Sequence, residues 1–177
     1  YTEIQAHRGG MGLWPENTIM AMKNAIDLGV DMLELDLMIS KDSLVVVSHE
    51  EIMSSEYVTK PDGTRVTKAE EASLVLFGMP YDDIRRYDTG LAGDSRYPAR
   101  VRIAACKPLL SELLDATEAH IREKGGRNLR YNIEIKASKG KEQRCMAPDY
   151  KTFTDLCMAV ILEKGLGGRV TIQSFDA

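Results

Sequence analysis

Apolar positions along this 177-residue chain recur in two alternating rhythms, a period of two over short runs and a period near 3.6 over longer ones. Ile4–His7 predicts a short first strand, followed by a glycine-rich loop over Gly9–Trp14. Pro15-Glu16-Asn17-Thr18 then opens a helix reaching to about Leu28, with Asn17 or Thr18 as cap, Ile19, Met22 and Ile26 on one stripe and Gly29 as the stop. Met32–Ile39 predicts a second strand and Leu44–His49 a third, joined by the tight polar turn Lys41-Asp42-Ser43. Residues 50–106 show no sustained period and are read as an insertion carrying small elements of its own. Regularity returns with a helix over Leu109–Lys124, striped by Leu110, Leu113, Leu114, Thr117 and Ile121 and ended by Gly125-Gly126. A fourth strand over Arg130–Ala137, a helix over Phe153–Lys164 and a fifth strand over Arg169–Phe175 complete the pattern.

Strands alternating with helices predict an α/β fold with a parallel sheet. Five strands suit either an open sheet or part of an eight-stranded barrel, and the polar residues on the strands favour the barrel. Side chains alternate faces along a strand, so Leu33, Leu35, Leu37 and Ile39 share an aliphatic face that must meet helices. The opposite face carries Met32, Glu34, Asp36 and Met38, which puts two carboxylates roughly 6–7 Å apart at their backbones. The fourth strand repeats the arrangement with Asn132, Glu134 and Lys136. The first strand ends in His7-Arg8, the third in His49, and the fifth offers Thr171, Gln173 and Phe175. Polar groups late in successive parallel strands of a barrel converge on one mouth, where active sites lie. An open sheet would not gather all five.

Composition narrows the field without choosing a function. At 44% hydrophobic and 28% charged, with a net charge of −4 and both signs interspersed, the chain lacks the clustered basic face that nucleic acid requires. No stretch approaches the roughly 18–20 apolar residues of a membrane span. Cys106, Cys145 and Cys157 are odd in number and form no CxxC pair, which argues against both a disulfide framework and a thiolate metal site.

The strand-end residues have a chemical logic as a set. Like charges as close as Glu34 and Asp36 repel, and burial worsens the repulsion unless a cation offsets it. Glu34, Asp36 and Glu134, with waters, suit a hard cation, Mg²⁺ or Ca²⁺, better than zinc. Arg8 and Lys136 beside such a site suit a phosphate. His7 and His49 suit general acid and base work, since their ordinary pKa lies near neutrality. Each piece alone has a structural reading: a strand-end histidine, a solvated edge strand, a same-face Glu-Lys pair. Their joint placement is what points to chemistry.

At these residues the sequence resembles a known family. His7-Arg8-Gly9, five residues and Pro15-Glu16-Asn17-Thr18 are similar to the HRG-x5-PENT signature of the glycerophosphodiester phosphodiesterases. Glu34-Leu35-Asp36, Val45-Val46-Val47-Ser48-His49, Ile133-Glu134-Ile135-Lys136 and Gln173-Ser174-Phe175 follow in the family's order and spacing, leaving only about residues 52–105 outside the likeness. The resemblance implies a TIM-type barrel, a single domain over 1–177 with the insertion after the third strand. It implies one divalent cation on Glu34, Asp36 and Glu134, with His7 and His49 as the acid-base pair. Arg8, Lys136 and Gln173 would bind substrate, while Glu16 and Asn17 orient the site. The implied reaction converts a glycerophosphodiester to glycerol 3-phosphate and an alcohol through a cyclic phosphate. The sequence departs from the family at His49-Glu50, where His-Asp is usual, in lacking an Arg-Thr pair soon after, and at Lys107-Pro108-Leu109-Leu110. These departures leave the carboxylates and histidines in place and bear on the leaving group. The alternatives are a phospholipase D-like lipid phosphodiesterase on the same barrel and a non-catalytic barrel that binds a phosphate ligand. An enolising lyase or isomerase would not use the HRG-x5-PENT segment. Five strands cannot close a barrel of eight, so this reading expects the remaining C-terminal strands outside these 177 residues. The resemblance fits a secreted or periplasmic protein as well as a cytoplasmic one, and oligomeric state is left open.

Overall fold

The computed structural model of the chain describes residues 2–175. Its elements are β1 (Gln5–Ala6), α1 (Ile19–Asp27), β2 (Met32–Ile39), β3 (Val45–Val47), α2 (Tyr81–Ile84), α3 (Leu110–Glu123), β4 (Arg130–Ile135), α4 (Lys139–Gln143), α5 (Tyr150–Glu163) and β5 (Val170–Gln173). β1, β2, β4 and β5 form a parallel sheet in that spatial order. The register sets Asp36 beside Glu134 and Glu134 beside Gln173. In-register neighbours on parallel strands point to the same face about 4.8 Å apart, so the alternation within each strand becomes a row of polar groups across the sheet.

The other face makes the core. Leu33, Leu35, Leu37, Tyr131, Ile133 and Ile135 pack against Met22 and Ile26 of α1, Leu110, Leu113 and Leu114 of α3, and Phe153, Cys157 and Ile161 of α5. The helices begin where capping chemistry permits. Thr18 Oγ1 accepts the Ala21 N–H, and Asp149 accepts the Thr152 N–H, which starts α5 three residues before its apolar stripe. Gly29, at φ +85°, closes α1 in the left-handed conformation. No helix among the described residues is long and apolar enough to cross a membrane. Cys106, Cys145 and Cys157 are unbonded to one another.

One element differs from the sequence reading. β3 is not a parallel strand of the sheet: it folds back antiparallel on Leu37–Ile39 at the end of β2. The five-residue link 40–44 cannot make the crossover that parallel strands require, so the turn after Ile39 dictates a hairpin. β2 therefore overshoots the polar row, and β3 returns toward it until the Ser48 N–H reaches the carbonyl of Asp36 at 2.9 Å. His49 thus comes to the row on a returning strand.

Between β3 and α3, Met53, Tyr57, Val58, Val66, Leu76, Tyr81 and Ile84 build a second apolar cluster on Met38 of β2 and Val46 of β3. Met38 shares its face with Glu34 and Asp36, so the segment covers that face just beyond the carboxylates. The turn before the site is equally constrained. Gly9 has φ +76°, and a Cβ there would lie 2.9 Å from Ala21 Cβ and 3.1 Å from the backbone of α1. Gly9→Ala is expected to destabilise the fold by about 1–3 kcal/mol. Gly10→Ala, at φ +90° but with nothing within 4 Å, should lose less. Denaturant midpoints of the two variants test this, and equal losses would mean that the α1 contact does not hold the turn.

Candidate active site

The site is built first from β2 and β4. Glu34, Asp36 and Glu134 are all buried, and one carboxylate oxygen from each lies within 4.8 Å of the others. Burial, and then the charge of Asp36, push the Glu34 carboxyl up to about 7, against the opposing hydrogen bond from the Arg8 N–H at 2.6 Å. Such a cluster calls for positive charge. Lys136 supplies some from β4, with Nζ 2.8 Å from Glu134 and 3.6 Å from Asp36.

Arg8 supplies more from the turn after β1. Its backbone is left-handed at φ 51°, unusual for a residue other than glycine or asparagine. The N–H bond to Glu34 and the bond from the Asn17 N–H to the Arg8 carbonyl, at 3.0 Å, hold it there. That conformation brings Nη1 to 3.0 Å from Glu16 and Nε to 3.5 Å from Asp36. Nε is buried yet makes no hydrogen bond, an unmet donor facing the carboxylates. Asn17, also left-handed, does not cap α1. Its side chain meets Asp36 twice, donating to Oδ2 at 2.9 Å and accepting the Asp36 N–H at 3.3 Å. Glu16 bridges two guanidinium groups, since Arg100 of the insertion reaches its other oxygen at 3.2 Å. Arg100 is itself buried, donating to the Met11 carbonyl at 2.7 Å and pairing with Asp94 at 3.4 Å.

The two histidines differ in setting. His7 Nε2 lies 4.0 Å from Glu34 in a largely exposed ring. The partial burial of the ring, with the nearby Arg8 charge, lowers its pKa and favours neutral imidazole. His49 Nδ1 lies 2.9 Å from Glu50, whose carboxyl this bond draws down to about 2. An ionised carboxylate can only accept, so Nδ1 carries the proton and Nε2 is the atom available for exchange. Beneath this turn the Lys107 ammonium donates to Ser48 Oγ at 2.8 Å.

One cleft is lined by Gln5, His7, Arg8, Glu34, His49, Glu134, Lys136, Gln173 and Phe175, with Asp36 beneath it. Gln173 accepts from Asn132 Nδ2 at 2.9 Å across the sheet. The structure therefore gathers His7, Arg8, Glu34, Asp36, His49, Glu134, Lys136 and Gln173 in one place, with Glu16 and Asn17 behind them. Sequence reasoning missed Arg100, which lies in a segment with no period, and named Lys107 only within a departure from the family pattern. It named Glu50 only as a departure from a usual aspartate, although a carboxylate next to His49 was itself a signal.

The sequence matches the glycerophosphoryl diester phosphodiesterase family over residues 7–177. A glycerophosphodiester phosphodiesterase of Caldanaerobacter subterraneus subsp. tengcongensis is 32% identical over 99% of this chain and 58% of its own length. A solved Silicibacter pomeroyi protein assigned as a glycerophosphoryl diester phosphodiesterase superposes with a TM-score of 0.85 at 25% identity, over 99% of this chain and 58% of that one. An Oleispira antarctica phosphodiesterase, solved with its product sn-glycerol-3-phosphate, shares the fold at a TM-score of 0.69 and 20% identity, over 99% of this chain and 58% of that one. The chain thus spans about half the length of the curated relatives it matches. Its parallel β/α sheet is that of a TIM-type barrel, and the chain belongs to the glycerophosphoryl diester phosphodiesterase family.

Proposed function

We propose that this protein hydrolyses glycerophosphodiesters to glycerol 3-phosphate and an alcohol, using a divalent cation and two histidines. The observation that carries the reading is the buried carboxylate triad with Arg8 and Lys136 against it and both histidines on the same cleft. Three clustered carboxylates fit a hard cation by donor type, and Mg²⁺ or Ca²⁺ is the expected class. Glu34, Asp36 and Glu134 would hold it. When bound it would draw electron density from a coordinated hydroxyl and from the phosphate, easing proton loss and screening negative charge. The product bound in the Oleispira relative supports the glycerol 3-phosphoryl half of the substrate.

The chain's own residues supply the proton transfers. His7, favoured neutral, is suited to take the proton of the glycerol 2-hydroxyl as that oxygen attacks phosphorus. His49, its Nδ1–H held on Glu50, is suited to act as imidazolium, whose positive charge the Glu50 carboxylate supports, and to deliver the Nε2 proton to the departing alcohol oxygen. The P–O bond to that alcohol breaks as the new one forms, leaving a cyclic phosphate that water opens with the histidine roles reversed. Arg8 and Lys136 would bind phosphate oxygens.

Glycerophosphocholine and glycerophosphoethanolamine, assayed on the full-length protein, are expected to release glycerol 3-phosphate. EDTA should abolish this, and His7→Ala and Glu34→Ala should each reduce kcat/KM by about 10²–10⁴-fold. A folded, cation-loaded protein that released none would overturn the reading.

The cation also has a pH signature. The folded Glu34 carboxyl titrates near 7, above its ordinary value of 4.5. Its contribution to stability is therefore present below its unfolded pKa and is lost as pH rises through about 7, up to about 3 kcal/mol. A cation that needs the ionised triad restores that loss. The rise in Tm given by saturating Mg²⁺ or Ca²⁺ over EDTA should be larger at pH 7.5 than at pH 5. An equal or smaller rise at pH 7.5 would place the cation elsewhere.

A further inference from the structure

Lys107 lies just before α3 at 5% exposure, an unusual place for an ammonium. Its Nζ donates to Ser48 Oγ at 2.8 Å and lies 3.4 Å from the Tyr57 hydroxyl, 5.5 Å from the centre of that ring. Among the described residues no carboxylate reaches it within 4.0 Å. Glu16, Glu50 and Asp36 attract it from farther away and Arg8 repels it. Burial draws the amine down to about 8, which leaves it charged at neutral pH. A buried ammonium with only hydroxyl partners weakens a fold relative to an apolar side chain of similar size, so its presence needs another reason.

The reason lies one residue away from His49. The Ser48 hydroxyl donates its only proton to the Glu50 carbonyl at 2.7 Å, so its oxygen is left to accept from Lys107. The Ser48 N–H is committed to the Asp36 carbonyl. The Ser48-His49-Glu50 turn is thereby held from both sides, on β2 through the backbone and on Lys107 through the hydroxyl. The Val47 N–H donates to the Pro108 carbonyl at 2.8 Å, which fixes Lys107 against the same strand.

We propose that Lys107 is a positioning residue whose ammonium, acting through Ser48, fixes the turn that holds His49 Nδ1 on Glu50 and leaves Nε2 for the cleft. The proposal rests on the acid-base reading of His49 given above. It separates function from stability at a single side chain, because methionine would fill the site without the buried charge.

The test compares wild type, Lys107→Met, Ser48→Ala and the double variant in the full-length protein. Lys107→Met should lower kcat by about 10–100-fold, the scale of a slightly misplaced catalytic group, with KM changed less than about threefold. Its Tm should be unchanged or higher. Ser48→Ala should lower kcat similarly, and the double variant should be no worse than the more impaired single one, since both act through one chain of bonds. Nitrogen NMR of His49 gives a readout apart from turnover: a single Nδ1–H tautomer in wild type and a mixture in Lys107→Met. Wild-type kcat in Lys107→Met, or a fall in activity matched by a fall in Tm with the tautomer unchanged, would overturn the proposal. If wild type itself released no glycerol 3-phosphate, the functional reading would fail, while the tautomer comparison would still decide whether Lys107 orients His49.

Discussion

Glu34, Asp36 and Glu134 meet in the interior with oxygens within 4.8 Å of one another, and the surrounding side chains are arranged to offset that repulsion. The register of β2 against β4 forces the meeting, since Asp36 and Glu134 are direct neighbours on one face. Removing such groups from water while they repel one another is tolerable only with positive charge close by. Arg8 and Lys136 supply part of it, yet Arg8 Nε is left without a hydrogen bond and the Glu34 carboxyl rises to about 7. The protein side chains alone leave the carboxylates under-compensated, which is the condition a bound cation relieves.

From that requirement the less regular parts of the fold acquire reasons. Arg8 reaches the carboxylates because its backbone is left-handed, and Gly9 can follow because no Cβ meets α1. Asn17 gives up helix capping to Thr18 and hydrogen-bonds Asp36 instead. Arg100 brings the insertion to the same network through Glu16. The aperiodic segment is thus tied to the site by buried ion pairs as well as by its apolar cluster on Met38 and Val46. Breaking one member of such a pair strands a buried charge, so the segment and the site depend on each other.

The alternation of side chains made much of this readable from the chain. Leu33, Leu35 and Leu37 on one face and Glu34 and Asp36 on the other need only a period of two, and the same rule exposes Glu134 and Lys136. The direction of β3 was also available, because Lys41-Asp42-Ser43 is too short for a crossover, but the apolar run of three valines says nothing about direction. The helix start was ambiguous because Asn17 and Thr18 are both good caps, and only the position of Asp36 decides between them. Arg100 and Lys107 were beyond pattern reading. Their partners, Glu16 and Ser48, lie 84 and 59 residues away in sequence, and no local rhythm encodes such contacts.

The central claim is that the three carboxylates are organised around one divalent cation. Diffraction from crystals grown with Mn²⁺, recorded near the manganese absorption edge, tests it most directly. The account predicts a single anomalous peak bounded by oxygens of Glu34, Asp36 and Glu134 and absent from the Glu34→Gln variant. Density free of any peak there, with Arg8 and Lys136 closing over the carboxylates by themselves, would contradict it.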